Sequence, residues 1–146
     1  MLIPHNNSYT QAITEKVERM SGSDLKGLEY LLELNGSVVY LDNNERGYWW
    51  KIDAWVVPET KAVPHGIKYR LTLHNKYGTR LMGYDNAHLV KVKSRSKVAG
   101  VKKSYDHKHR TVHDKGVPYE FESPARLLED FFKSIDDTID TIEGKK

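Results

Sequence analysis

The clearest pattern in the chain is the alternation at 67–75, IKYRLTLHN. Ile67, Tyr69, Leu71 and Leu73 take one face; Lys68, Arg70, Thr72 and His74 take the other. Successive side chains of a strand leave opposite faces, so this predicts a half-buried β-strand. Before it, GYWWKIDAWVV (47–57) is rich in β-branched and aromatic residues and predicts a long strand. After it, KYG turns the chain and TRLMGYD (79–85) returns, with Arg80 and Met82 alternating with Leu81 and Gly83. HLVKV reads as a short continuation. In LEYLLELNGSVVY, Leu28, Tyr30, Leu32 and Leu34 alternate, and Asn35-Gly36 lies between two apolar runs. Asn-Gly is a strong hairpin signal because a type I′ turn needs positive φ at both central residues. A helix through Leu25, Leu28, Leu31 and Leu32 competes, but leaves the Asn-Gly unexplained. Helical spacing governs the two ends of the chain. Ile13, Val17 and Met20 suit a short helix over 9–20, ended by SGSDLKG. Ser123 is a natural N-cap, Pro124 fits the first helical position, and Leu127, Leu128, Phe131, Ile135, Thr138, Ile139 and Ile142 form one stripe. The expected fold is α+β, an antiparallel meander-like sheet of about five strands packed against a C-terminal amphipathic helix.

With 146 residues the chain reads as one domain over 27–146, preceded by an arm or short helix over 1–26. There are no cysteines, which excludes disulfides and thiolate metal sites. No apolar run reaches the roughly 20 residues of a membrane helix. MLIPHNNSYTQ lacks the basic start and apolar middle of a secretory signal, so the expectation is a cytoplasmic protein without membrane contact.

Charge changes the picture through its distribution. Between Val90 and Gly116, nine Lys and Arg face only Asp106 and Asp114, although the whole chain carries just +3. From Val117 onward the balance turns acidic. The basic block would attract polyanions such as RNA. The acidic C-terminal helix could shield that block or, through its wide stripe, form a homodimer seam.

Two polar islands carry the candidate chemistry: YDNAH (84–88) and YDHKHR (105–110), the latter placed in a loop before the helix. A loop folding over a strand end would gather Asp85, His88, His107 and His109. In an extended segment the two rings of His107-x-His109 share a face. Two imidazoles beside cations suffice for metal-free RNA cleavage: one takes the 2′-hydroxyl proton, and the other protonates the leaving 5′-oxygen. Asp85 would orient a ring, while Arg80, Lys102, Lys103, Lys108 and Arg110 would bind phosphate. No cofactor is required on this reading; its rival is a divalent metal, Zn²⁺ or Mn²⁺, on Asp85, His88, His107 and His109. The bland alternative makes Asp85-Asn86 a turn pair and the histidines strand-end caps. Trp49 and Trp55 share strand parity while Trp50 has the other, so one set suits the core and the other a partner surface or stacked bases.

The ordered series GIKYRLTLHNKYGTRLMGYDNAH, YDHKHR and PYEFESPARLLEDFFKSID resembles the TumE-type toxin family of bacterial toxin–antitoxin modules, over roughly residues 28–140. The resemblance implies a growth-inhibiting toxin and a cognate antitoxin with a helix-turn-helix DNA-binding domain. It does not supply a reaction. A metal-independent ribonuclease is the first expectation. A non-catalytic toxin bound to nucleic acid or the ribosome is the second, and a group-transfer enzyme the third; the chain has no Gly-rich phosphate loop for the last.

Overall fold

The computed structural model of the protein describes residues 7–41, 46–86, 90–92, 102–104 and 106–144, with 7–9, 90–92 and 102–104 as backbone only. Helices α1 (Asn7–Arg19) and α2 (Gly22–Glu33) come first, then strands β1 (Ser37–Tyr40), β2 (Trp49–Val56), β3 (Ile67–His74) and β4 (Arg80–Asp85). A two-stranded ribbon, β5 (Val90–Val92) with β6 (Lys102–Ser104), interrupts the series. Strands β7 (His107–His109) and β8 (Val117–Pro118) and helix α3 (Pro124–Ile142) complete it. The main sheet has six strands in the order β1-β2-β3-β4-β7-β8, every pair antiparallel. The expected α+β meander is therefore present, with six strands rather than five.

Two elements differ from expectation. Residues 28–33 continue α2 rather than forming one arm of a hairpin. Ser21 caps that helix, accepting from Asp24 N at 3.3 Å, and Leu28 and Leu31 are buried at helical spacing. The Asn-Gly pair serves a helix-to-strand turn instead. Gly36 takes φ +83°, and the Asn35 side chain accepts from Ala54 N at 3.0 Å. Local turn chemistry was satisfied, but the stripe of leucines decided the preceding element. The second difference is 107–109, which is a strand and not a loop: it pairs Gly83↔His109, Tyr84↔Lys108 and Asp85↔His107.

The sheet has two unlike faces. Trp50, Ile52, Ala54 and Val56 of β2 meet Ile67, Tyr69, Leu71 and Leu73 of β3 and Met82 and Tyr84 of β4 on one face. All are buried, and Leu28 and Leu31 of α2 and Leu127, Leu128, Phe131 and Ile135 of α3 complete this core. Trp50 packs edge-on against Phe131 and Phe132, which settles its parity as the core one. The cap of α3 forms as expected, with Ser123 Oγ accepting from Arg126 N at 3.1 Å. Because α3 lies on this face, it does not shield the opposite one, where the histidines stand.

Candidate functional site

The face away from the helices is polar and concave. Trp49, Lys51, Asp53, Arg70, Thr72 and His74 rise from β2 and β3 and share it with Arg80, Asp85, His107, His109 and Lys115; together they line a cleft of about 550 Å³. Strand pairing explains the convergence. Arg70 lies opposite Asp85 on β3 and β4, and Asp85 lies opposite His107 on β4 and β7. The three side chains therefore project from neighbouring strands onto the same face.

At the floor, Asp85 bridges two imidazoles. His107 Nε2 is 2.9 Å from Asp85 Oδ1, and His109 Nε2 is 3.3 Å from Oδ2. All three residues are buried, with Asp85 5%, His107 1% and His109 8% exposed. The far nitrogen of His109, Nδ1, donates to the Asp114 carbonyl at 2.8 Å. Nδ1 therefore carries a proton, and a neutral His109 would aim the Nε2 lone pair at the carboxylate. Gly116 closes over the pair at φ +116°; a Cβ there would stand 2.8 Å from His107 Cδ2. Asp114 is itself fixed by Arg110. Burial pushes its carboxyl pKa up, but the Arg110 side chain and the amides of Arg110 and Gly116 outweigh that and hold it well below the ordinary carboxylate value. Among the described residues, Asp85, His107 and His109 are a group whose donor atoms could hold a metal ion, all lying within 4.8 Å of one another.

One wall of the cleft is aromatic. Trp49 stacks on His74 with ring centroids 4.1 Å apart. His74 Nδ1 donates to the Gly78 carbonyl at 3.2 Å, and Nε2 accepts from the Thr72 hydroxyl at 2.8 Å. Burial lowers the pKa of this ring; the Arg80 and Lys51 charges add to that effect, while the Gly78 carbonyl opposes it.

The predicted residues divide cleanly. Asp85, His107, His109 and Arg80 meet in the cleft. Lys108 falls on the helix side, where Nζ donates to Ser134 Oγ at 3.1 Å and lies 5.2 Å above the Tyr84 ring. Arg110 pairs with Asp114 at 2.9 Å. Lys102 and Lys103 lie on β6, paired with β5. His88 lies outside the described residues. Asn86 proves structural: fully buried, it accepts from Tyr69 N at 2.9 Å and donates to the Ile67 carbonyl at 2.6 Å, extending the β3–β4 pairing through its side chain. Arg70 and Lys115 were not singled out from the sequence. For Arg70 the signal existed, since its alternation places it with Thr72 and His74.

A second buried carboxylate supports the first. Asp106 Oδ2 accepts from the Tyr69 hydroxyl at 2.6 Å and from His65 Nε2 at 2.8 Å. Burial first, then the Asp106 charge, push the Tyr69 phenol far above its ordinary pKa, so it stays a donor. This contact ties the residue before β7 to the interior face of β3.

The chain thus falls in a class of α+β proteins with a helix-covered antiparallel sheet whose open face carries a histidine–carboxylate cleft ringed by cations. A family model described as Toxin TumE matches residues 32–139, most of the chain and both polar islands, and the protein belongs to that family. It is accordingly the toxin component of a toxin–antitoxin module, with a cognate antitoxin as its partner. Searches of curated proteins and of solved structures each returned no match. Among the described residues, no helix is long and apolar enough to cross a membrane.

Proposed function

We propose that this toxin cleaves RNA bound across the open face of the sheet. The observation that carries the reading is the burial of Asp85, His107 and His109 together at the floor of a cleft that also holds Arg70, Arg80 and Lys115. RNA carries its own nucleophile. Cleavage needs the 2′-hydroxyl proton removed, charge on the phosphate offset and the 5′-oxygen protonated as it leaves. Arg70, Arg80 and Lys115 are suited to the phosphate. The Asp85–His109 pair, the more exposed side of the cluster, is suited to handle the proton, directly or through a bound group, whereas His107 at 1% exposed is suited to hold Asp85. That division replaces a symmetrical acid–base pair, which needs two accessible imidazoles. The flat surface of Trp49, backed by His74, suits a stacked base.

The test is RNA integrity after induced expression of the full chain without its antitoxin, wild type against His109→Ala, followed by assay of the purified proteins. The wild type degrades RNA, and the variant is slower by at least about 100-fold. Growth arrest with intact RNA would instead identify a toxin that blocks by binding. The cleft's cations favour that second reading, and such binding would weaken steeply with salt as counterions are released.

A further inference from the structure

We propose that Asp85, His107 and His109 bind one divalent transition-metal ion of the zinc class, with an open coordination position facing the RNA cleft. The binding claim rests on donor geometry alone; only the ion's service to cleavage rests on the function proposed above.

Three features argue for it. The first is the direction of the lone pairs. With Nδ1–H given to the Asp114 carbonyl, a neutral His109 meets the Asp85 carboxylate lone pair to lone pair, at 3.3 Å. Either a proton or a cation must lie between them. A cation satisfies both groups at once and also takes Nε2 of His107, 2.9 Å from the other carboxylate oxygen. The second is spacing. Ligand atoms about 2.0–2.2 Å from a tetrahedral zinc stand roughly 3.3 Å from one another. The contacts of the two rings to the two Asp85 oxygens, 2.9 and 3.3 Å, fall near that value, and the widest pair of the cluster, within 4.8 Å, has to close around the ion. The third is the supporting contact. Ligating imidazoles characteristically donate their other N–H to a carbonyl or carboxylate, which fixes the ring and raises its basicity. The Asp114 carbonyl does this for His109.

The donor set also selects the metal. Two imidazoles and one carboxylate, without sulfur, suit zinc or neighbouring first-row ions over magnesium or calcium, which prefer oxygen-rich shells. Three protein ligands among the described residues is the count of a catalytic rather than a structural site, with a fourth position for water or a phosphate oxygen. The cluster lines the cleft that holds Arg70, Arg80 and Lys115, so that position faces the groups suited to phosphate.

The experiment uses the purified full-length chain, stripped with chelator and titrated with Co²⁺, whose visible absorption reports low-coordinate nitrogen and oxygen sites. One Co²⁺ per chain binds, and one equivalent of Zn²⁺ displaces it. His109→Ala and Asp85→Ala weaken binding by more than the roughly 10–100-fold that follows from losing a merely supporting group. His113→Ala, which removes an exposed ring outside the cluster, leaves it unchanged. If the cluster variants do not fold, the wild type still decides: Zn²⁺ raises its melting temperature and Mg²⁺ does not. A wild type that takes up neither Co²⁺ nor Zn²⁺, or variants that bind as well as it does, overturns the proposal. RNA cleavage by a metal-free chain in EDTA removes the ion's part in the reaction and leaves the ribonuclease reading standing. Stoichiometric zinc on a toxin that leaves RNA intact does the reverse.

Discussion

Asp85 and Asp106 are both buried carboxylates held by histidine, yet their hydrogen-bond directions set them apart. At Asp106 every proton has a place. His65 Nδ1 accepts from the Ile67 amide at 3.2 Å, so its Nε2 is the protonated nitrogen and donates to the carboxylate, beside the Tyr69 hydroxyl. Both described donors point their protons at the carboxylate. At Asp85 the direction is reversed, because His109 spends its Nδ1 proton on the Asp114 carbonyl and turns Nε2 toward the carboxylate. In the first contact a ring proton faces the carboxylate; in the second a neutral ring presents its lone pair, so a proton or a cation has to lie between His109 and Asp85. The difference also follows position. Tyr69 points into the helix-covered core, whereas Asp85, His107 and His109 line the open cleft.

The sharpest way to break this comparison is to remove one imidazole from each cluster. His109→Ala should lower RNA cleavage by the folded fraction at least about 100-fold. His65→Ala should lower stability instead. It removes one partner of the buried Asp106 and the stacking of His65 on Phe121, whose ring centroids are 3.9 Å apart. Its cost is about 1–3 kcal/mol of folding stability, read from denaturant melts, with cleavage retained in the folded fraction. Equal loss of activity in the two variants would end the distinction.

Gly116→Ala tests the packing that only the Asp85 cluster has. The residue sits at φ +116°, and its new Cβ would stand 2.8 Å from one histidine ring and 3.3 Å from the other. The strained backbone alone costs about 1–3 kcal/mol. Displacing the rings should lower cleavage beyond what the stability loss explains. Tyr69→Phe is the matching change at Asp106. It deletes one hydrogen bond to a buried carboxylate, costs about 1.5–3 kcal/mol and leaves cleavage by the folded chain alone.

The sequence made some of this legible and hid the rest for identifiable reasons. Alternation in β3 placed Arg70, Thr72 and His74 on one face, and the His-x-His spacing placed both rings together. Alternation failed at Arg80. Simple parity puts Arg80 with Met82 and Tyr84, on the helix side. An irregularity in the β3–β4 register, where Leu73 pairs with Met82 but His74 with Arg80, carries it to the cleft face instead. A one-residue shift moves a side chain across the sheet, and nothing in TRLMGYD announces it. Lys108 misleads for the opposite reason: read as a loop, 107–109 leaves its side chain free to reach phosphate. As a strand it sends Lys108 under α3. Asn86 was legible only as a turn former, because its role depends on backbone groups of Ile67 and Tyr69, far away in sequence.

The smallest expected effect concerns His74, which stands in the same cleft and, among the described residues, is held by the Gly78 carbonyl and the Thr72 hydroxyl rather than by a carboxylate. Burial, aided by Arg80 and Lys51, lowers its pKa below the ordinary histidine value of about 6.5. The unfolded chain therefore binds a proton more readily than the folded one, and stability rises with pH across the interval between the two values. His74's contribution is complete above about pH 6.5 and is lost as pH falls below it, with a slope under about 1.4 kcal/mol per pH unit for a single proton. His74→Phe keeps a ring against Trp49 but removes the titration. Wild type minus variant should thus decline as pH is lowered from neutrality through the histidine range. A flat difference would mean that the ring accepts its proton in the cleft as easily as in water, and that Trp49 and Thr72 hold it through packing rather than through its neutral form.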